Sequence, residues 1–252
     1  MSHTLLVVAH PRPDSLTAQV AAGLQARIRD GGGTVDVLDL YAERFDPRLY
    51  PEDEPDWEDR EKRYSAEVHA HMDRIAAADD ILVVFPVWWY APPAILKGWI
   101  DRVWNYGFAY GRSTPRLAAK RMLWLGLAGA TAAEYARDGL DTALDTQLRV
   151  GISEYNGITA SAVRLLYGTE LTGVPVHVRP ARVRETLAAA EAARREVLGN
   201  GPRHHTRQHD PHHTAHHDPH HTAHHDPHRT QPRHQQHTPQ RGTAVARVEA
   251  TS

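Results

Sequence analysis

Two short stretches of this sequence collect groups that bind ligands better than they build a core. The first is Pro86-Val87-Trp88-Trp89-Tyr90-Ala91-Pro92-Pro93, three aromatics held between prolines. Aromatic rings in a rigid turn can wall a planar ligand, and the turn's N–H groups can meet its polar edge. A hydrophobic cluster or a subunit contact would use the same residues. The second is His10-Pro11-Arg12-Pro13-Asp14-Ser15, running into Leu16, Thr17 and Ala18. Ser15 suits the cap of a following helix. The first-turn N–H groups, with the Ser15 and Thr17 hydroxyls, then make an anion site fit for a phosphate. His10 could donate to the same phosphate. A weaker third candidate is Ala128-Gly129-Ala130-Thr131, small enough for close backbone approach, with Tyr135 just beyond it. The His10–Ser15 loop carries neither the dinucleotide fingerprint nor the P-loop spacing.

The elements that must position these loops can be read from periodicity. Thr4–Ala9 is a β-rich run that ends at the His10 loop. Leu16 to Arg29 carries Leu16, Val20, Leu24 and Ile28 on one helical face and stops at Gly31-Gly32-Gly33. Thr34–Leu38 is a second strand, so the opening reads β-loop-α-β, as in a parallel sheet. Tyr41 to Asp59 is rich in Pro, Asp and Glu, without a period. Glu61 to Ala78 suits a helix. Asp80–Pro86 is a continuous apolar run, as expected of a strand buried on both faces. The aromatic loop follows, and Pro93 opens a helix to about Trp104. Arg121–Leu127 is the fourth strand, Thr131 to about Arg149 a helix, Ile158–Leu166 the fifth strand and Arg182–Leu198 the closing helix. This alternation predicts an α/β fold, a doubly wound five-stranded parallel sheet with flavodoxin-like strand order and right-handed crossovers. All three candidate loops then lie at the carboxyl edge of the sheet, where such folds bind ligands.

Composition narrows the field. The 252 residues contain no cysteine, which excludes disulfides, thiolate zinc sites, Fe–S clusters and a cysteine nucleophile. The formal net charge is −2. Six arginines against four acids from Asn200 onward leave residues 1–199 more acidic still, a poor match for a nucleic-acid binder. No apolar run is long enough to span a bilayer, and the N-terminus lacks the pattern of a secretory signal. A cytoplasmic protein without membrane insertion is expected. Residues 200–252 differ from the rest: they hold 14 of the 19 histidines, and His-Asp-Pro-His recurs every eight residues from His209. Such a composition cannot offset chain entropy by burial, so a disordered tail is expected. Paired imidazoles such as His212-His213 can take Ni, Zn or Cu ions, but nothing fixes their geometry, and a solvated low-complexity tail is the plainer reading.

The run from Phe85 to Trp104, FPVWWYAPPAILKGWIDRVW, followed by Gly107-Phe108-Ala109-Tyr110-Gly111 and preceded by Ala9-His10-Pro11 with Ser15, resembles the NAD(P)H:quinone oxidoreductases of the DT-diaphorase type. It is similar also to their bacterial relatives, including ancillary oxidoreductases of potassium-efflux systems. The resemblance covers roughly residues 3 to 198. It implies a flavodoxin-like fold, bound FMN or FAD, NAD(P)H as donor, a quinone-like acceptor, and a homodimer with sites at the interface. FMN is favoured over FAD, because the globular part is short. By position, His10 and Ser15 to Ala18 (with Leu16 and Thr17) would hold the flavin phosphate. Val87, Trp88, Trp89 and Tyr90 would lie along the isoalloxazine, and Ala128, Gly129, Ala130 and Thr131 would meet its pyrimidine side. Tyr106, Phe108 and Tyr110 would border the neighbouring subunit's substrate pocket. Tyr135 matches a proton-handling tyrosine, and Asp141 stands where these enzymes place a histidine. Their third loop reads Thr-Thr-Gly-Gly, whereas here it is Leu127-Ala128-Gly129-Ala130, so a threonine hydroxyl is lost. Hydride transfer through one site used twice would give ping-pong kinetics. A flavodoxin-type electron carrier is an alternative, disfavoured because such carriers have a Ser/Thr- and Gly-rich phosphate loop. A regulatory partner of a membrane transporter is another.

Overall fold

The computed structural model describes residues 2–113, 115–170 and 173–199. The histidine-rich segment 200–252, expected to be disordered, lies outside the described residues.

Five strands form one all-parallel sheet: β1 (His3–Val8), β2 (Thr34–Asp39), β3 (Asp80–Pro86), β4 (Arg121–Leu127) and β5 (Ala160–Leu166), in the order β2-β1-β3-β4-β5. The chain moves outward from β1 to β2, then returns across β1 to β3. The direction of winding therefore switches between β1 and β3, and the loops leaving those two strands open a crevice at the carboxyl edge.

Alternation along the central strands builds two cores. Leu5, Val7, Ile81, Val83, Phe85, Met122 and Trp124 point into one layer, and Leu6, Val8, Leu82, Val84, Leu123 and Leu125 into the other. The second layer is closed by α1 (Leu16–Asp30), through Val20, Ala21, Leu24 and Ile28, and by α6 (Arg179–Leu198). The first is closed by α2 (Ala66–Ala77), α3 (Ala94–Val103), and the segment after β4. All seven residues of β3 are buried, as its unbroken apolar run requires.

The irregular excursion after β2 is tied down rather than loose. Asp53, at the end of a single 3-10 turn (Pro51–Asp53), is fully buried. It accepts from Arg102 Nη2 at 2.8 Å, from the Ser65 backbone N–H at 2.8 Å and from the Ser65 hydroxyl at 3.0 Å. Gly98 of α3 allows this excursion to lie flat: a Cβ there would come within 2.3 Å of the Pro47 carbonyl oxygen.

Two helices depart from the periodic reading. The expected Glu61–Ala78 helix begins at Ala66, because Ser65 caps it by accepting from Val68 N–H and so fixes the entry. The expected continuous helix from Thr131 to Arg149 is broken into α4 (Ala132–Arg137) and α5 (Leu140–Asp145). Gly139 in the left-handed conformation (φ 68°) turns the chain between them. From Thr146 to Glu154 the helix widens to π geometry. That widening seats the buried Ser153 hydroxyl, which accepts from Trp124 Nε1 at 2.9 Å and donates to the Leu148 carbonyl at 2.9 Å. The remaining boundaries agree to within three residues. No helix among the described residues is long and apolar enough to cross a membrane.

Candidate active site

A cleft of about 1200 Å³ opens at the switch point. Its floor is the end of β3 and β4 with Pro86, Val87, Leu127 and Gly129, and one wall is the β1–α1 loop from His10 to Gln19.

That wall has the chemistry of an anion cradle. Ser15 adopts an extended conformation as the α1 N-cap, and its Oγ accepts from Ala18 N–H at 3.1 Å. This uses the third amide of the turn. The Leu16 and Thr17 amides donate to nothing among the described residues, and both residues line the cleft. They sit at the positive end of a 15-residue helix. His10 completes the wall. Arg12 N–H donates to its Nδ1 at 3.0 Å, so the neutral ring carries its proton on Nε2. Burial, and after it the charge of Arg12, holds His10 below the ordinary histidine range. The ring is thereby kept as a neutral donor. Trp88, also lining the cleft, meets it edge-on with centroids 5.8 Å apart.

The aromatic loop is more strained than its sequence suggests. Trp88 and Ala91 exchange two backbone hydrogen bonds, each 3.1 Å, closing a two-residue turn. Trp89 (φ 51°) and Tyr90 (φ 56°) are both left-handed, a conformation that turns of this kind normally give to Asn and Gly. Trp89 is 95% exposed. Tyr90 lies against Tyr135 (5.5 Å), and Tyr135 against Tyr167 at the end of β5 (5.3 Å).

The β4–α4 loop presents donors. Ala128 N–H is bound to the Leu166 carbonyl at 2.8 Å, and Thr131 N–H to Glu134 Oε2 at 2.8 Å within a capping box. The Gly129 and Ala130 amides between them donate to nothing among the described residues. A planar ligand with a polar edge and an anionic tail would find donors at both ends of this cleft. The residues present therefore fit a flavin nucleotide.

Of the residues expected at the site, His10, Ser15, Leu16, Thr17, Val87, Trp88 and Gly129 share this cleft. Ala18 supports the cap. Trp89 and Tyr90 stand beside the cleft in the turn, and Ala128, Ala130 and Thr131 shape the third loop. Tyr135 is buried (3% exposed) beneath Tyr90 and Tyr167, which pushes its hydroxyl up in pKa; it does not line the cleft. Asp141 is half-buried, accepts from Thr142 N–H at 2.8 Å, and lies close enough to Tyr167 to raise that residue's pKa beyond the effect of burial. Tyr106, Phe108 and Tyr110 lie outside the cleft. Phe108 is in the core, while Tyr106 and Tyr110 pack with Trp57 at 5.3 and 5.9 Å. The sequence reading missed the opposite wall: Thr169, Glu170, Val176, Arg179, Pro180 and Val183, from the β5–α6 connection and the start of α6. The rule that ligands sit beyond strand carboxyl ends applies to β5 as well and would have marked this loop.

These features agree with what the chain resembles. It is 42% identical over 164 residues to an uncharacterized NAD(P)H oxidoreductase, YcaK, of Escherichia coli K12, covering 65% of this chain and 83% of that protein. It is 31% identical over 131 residues to the glutathione-regulated potassium-efflux system ancillary protein KefF of an Enterobacter species, covering 52% of this chain and 63% of that protein. Among solved structures, an NAD(P)H:quinone oxidoreductase from Methanothermobacter marburgensis superposes with a TM-score of 0.67 at 26% identity, covering 75% of this chain and 95% of that one. Residues 2–198 match the sequence profile described as flavodoxin-like fold, and the chain belongs to that family.

Proposed function

We propose that this protein is a flavin-dependent NAD(P)H oxidoreductase that makes two-electron reductions of quinones or similar acceptors. The observation that carries the reading is the pairing, in one cleft, of the Leu16 and Thr17 amides beside a neutral His10 donor with the Gly129 amide across the floor, none of the three amides having a partner among the described residues. When bound, a flavin supplies the hydride chemistry, and the protein supplies binding, orientation and electrostatics. Ser15, Leu16, Thr17 and His10 hold the phosphate. Val87 and Trp88 bear on the ring system. The Gly129 amide, with Ala130 next to it, would stabilise negative charge on the bound group in the manner of an oxyanion hole. Trp89 and Tyr90 border the face where donor and acceptor would stack in turn, which supports ping-pong kinetics. Tyr135, to which the resemblance assigns proton handling, packs behind Tyr90 with Tyr167 on its other side and Asp141 beside Tyr167, rather than lining the cleft.

FMN satisfies the α1 cradle. The cleft continues past Arg179, Pro180 and Val183, and that extension offers a cation and apolar surface to the adenosine diphosphate half of FAD. A homodimer would place the Trp57, Tyr106 and Tyr110 patch against a partner. A second reading, an ancillary role at a potassium-efflux transporter, rests on the 31% relative; co-purification with the transporter's cytosolic domain tests it.

The decisive experiment is an absorbance spectrum of the purified protein, followed by NADPH without oxygen and then a soluble quinone. A flavin band that bleaches with NADPH and returns with quinone is expected. Protein that stays colourless after FMN and FAD are supplied would end the oxidoreductase reading.

A further inference from the structure

The loop that offers the Gly129 and Ala130 amides has lost a side-chain hydroxyl relative to the Thr-Thr-Gly-Gly pattern it resembles, yet its backbone is held on the side away from those amides. The Ala128 carbonyl accepts twice from Thr169, from its N–H at 3.0 Å and its Oγ at 2.8 Å. The Ala130 carbonyl accepts from Gly168 N–H at 3.0 Å. Gly168 reaches this position in the left-handed conformation (φ 63°), with open space around its Cα, so glycine is needed there for its backbone rather than for room. Both carbonyls flanking the free amides are thus consumed by the β5–α6 connection. A peptide whose carbonyl is fixed has its N–H fixed in the opposite direction, because the unit is planar. The Ala128 carbonyl belongs to the same peptide as the Gly129 amide.

We infer that Thr169 is a positioning residue: its hydroxyl, supplied from the end of β5, locks the Ala128–Gly129 peptide so that the Gly129 amide faces the cleft and stabilises negative charge on a bound cofactor's pyrimidine edge. The inference rests on the flavin reading above. Glu170 is the charge that opposes this effect. Its Oε2 lies 3.7 Å from where a Gly129 Cβ would be. It is exposed, so water screens it, whereas the amide is fixed.

The test compares wild type, Thr169→Val and Thr169→Ser, each loaded with FMN. Valine keeps the shape and removes the donor; serine keeps the donor. Sulfite is the probe, because it adds reversibly to flavins and leaves negative charge on the pyrimidine. One net hydrogen bond corresponds to sulfite binding weaker by about twofold to tenfold in Thr169→Val, with a more negative midpoint potential, while Thr169→Ser stays at the wild-type values. Equal sulfite affinity in wild type and Thr169→Val overturns the inference, as does a loss in Thr169→Ser as large as in Thr169→Val. A second measurement needs no variant. By NMR, the Gly129 amide should exchange freely in flavin-free protein and become protected on adding FMN; an amide already protected without FMN, or unprotected with it, overturns the inference. Wild-type protein that takes up no flavin overturns the functional reading and this inference together, whereas normal uptake with an insensitive Thr169→Val overturns this inference alone.

Discussion

Trp89 offers a sharp test of whether the aromatic turn is kept for function at the expense of stability. Its backbone is left-handed, which costs an L-residue with a bulky side chain roughly 1–2 kcal/mol. Its side chain is 95% exposed, so almost no burial offsets that cost within the described residues. Trp89→Asn puts a residue that tolerates this conformation at the first central position of a two-residue turn that favours Asn there. About 1 kcal/mol of strain should be released with nearly no packing lost. For a domain of this size that corresponds to a rise in Tm of about 2–4 °C. The melt should be run on flavin-free protein, because a bound ligand adds its own stabilisation. The same variant should lose about twofold to tenfold in kcat/KM for a quinone, the value of one aromatic contact. An unchanged or lower Tm would refute the argument that Trp89 is strained and unsupported. A higher Tm with undiminished quinone turnover would leave the strain without the function assigned to it.

Other parts of the scaffold make equally definite demands. Asp53→Asn leaves Arg102, itself 2% exposed, with Glu67 at 2.9 Å as its remaining anionic partner, and should cost about 1.5–3 kcal/mol in urea denaturation. Burial pulls the Asp53 carboxyl upward, but the bonds from Arg102 and Ser65 outweigh it and its pKa ends below the ordinary range. That stability is therefore complete above the unfolded-state carboxylate range and is lost as the pH falls through the lower, folded-state value. His71 acts in the same direction for a different reason. Burial lowers its pKa, its Nδ1 has no partner among the described residues, and its ring meets Phe45 at 5.1 Å. The unfolded chain binds a proton there first, so stability should drop as the pH falls below about 6.5, and His71→Phe should flatten that part of a stability-versus-pH profile. Thr131→Ala removes the α4 capping box and should cost about 1 kcal/mol, read as a lower Tm.

The sheet was legible because its cause is local. β3 and β4 are bounded in the sequence as they are in the structure, since an unbroken apolar run closed by a proline or a small-residue loop admits little else. Their order was legible because parallel strands joined by helices have few right-handed arrangements. The α4–α5 break was not. Its apolar spacing suits one helix, and what divides it is Gly139 acting with the tertiary demand that Ser153 reach Trp124, 29 residues away. The Ser15 cap of α1 was legible for the same reason as β3: Ser15 and the amides after it are consecutive, and capping is a property of neighbours.

The opposite wall of the cleft was illegible because none of its residues announces a ligand. Thr169 reads as a strand-end threonine, Gly168 as a turn, and Val176, Pro180 and Val183 as the approach to a helix. Their role arises only when β5 is laid beside β4 and the Gly168 and Thr169 amides meet the Ala130 and Ala128 carbonyls. The same logic applies to Tyr135. Its identity suggested direct proton transfer, but the fold places Tyr90 on one side of it and Tyr167 on the other. An effect of Tyr135 on turnover is expected to be coupled to those two rings. Tyr135→Phe should therefore keep the flavin and lose part of kcat, and the loss should vanish in a Tyr167→Phe background if the two hydroxyls act as one unit. Independent losses that multiply in the double variant would instead assign the two tyrosines separate roles.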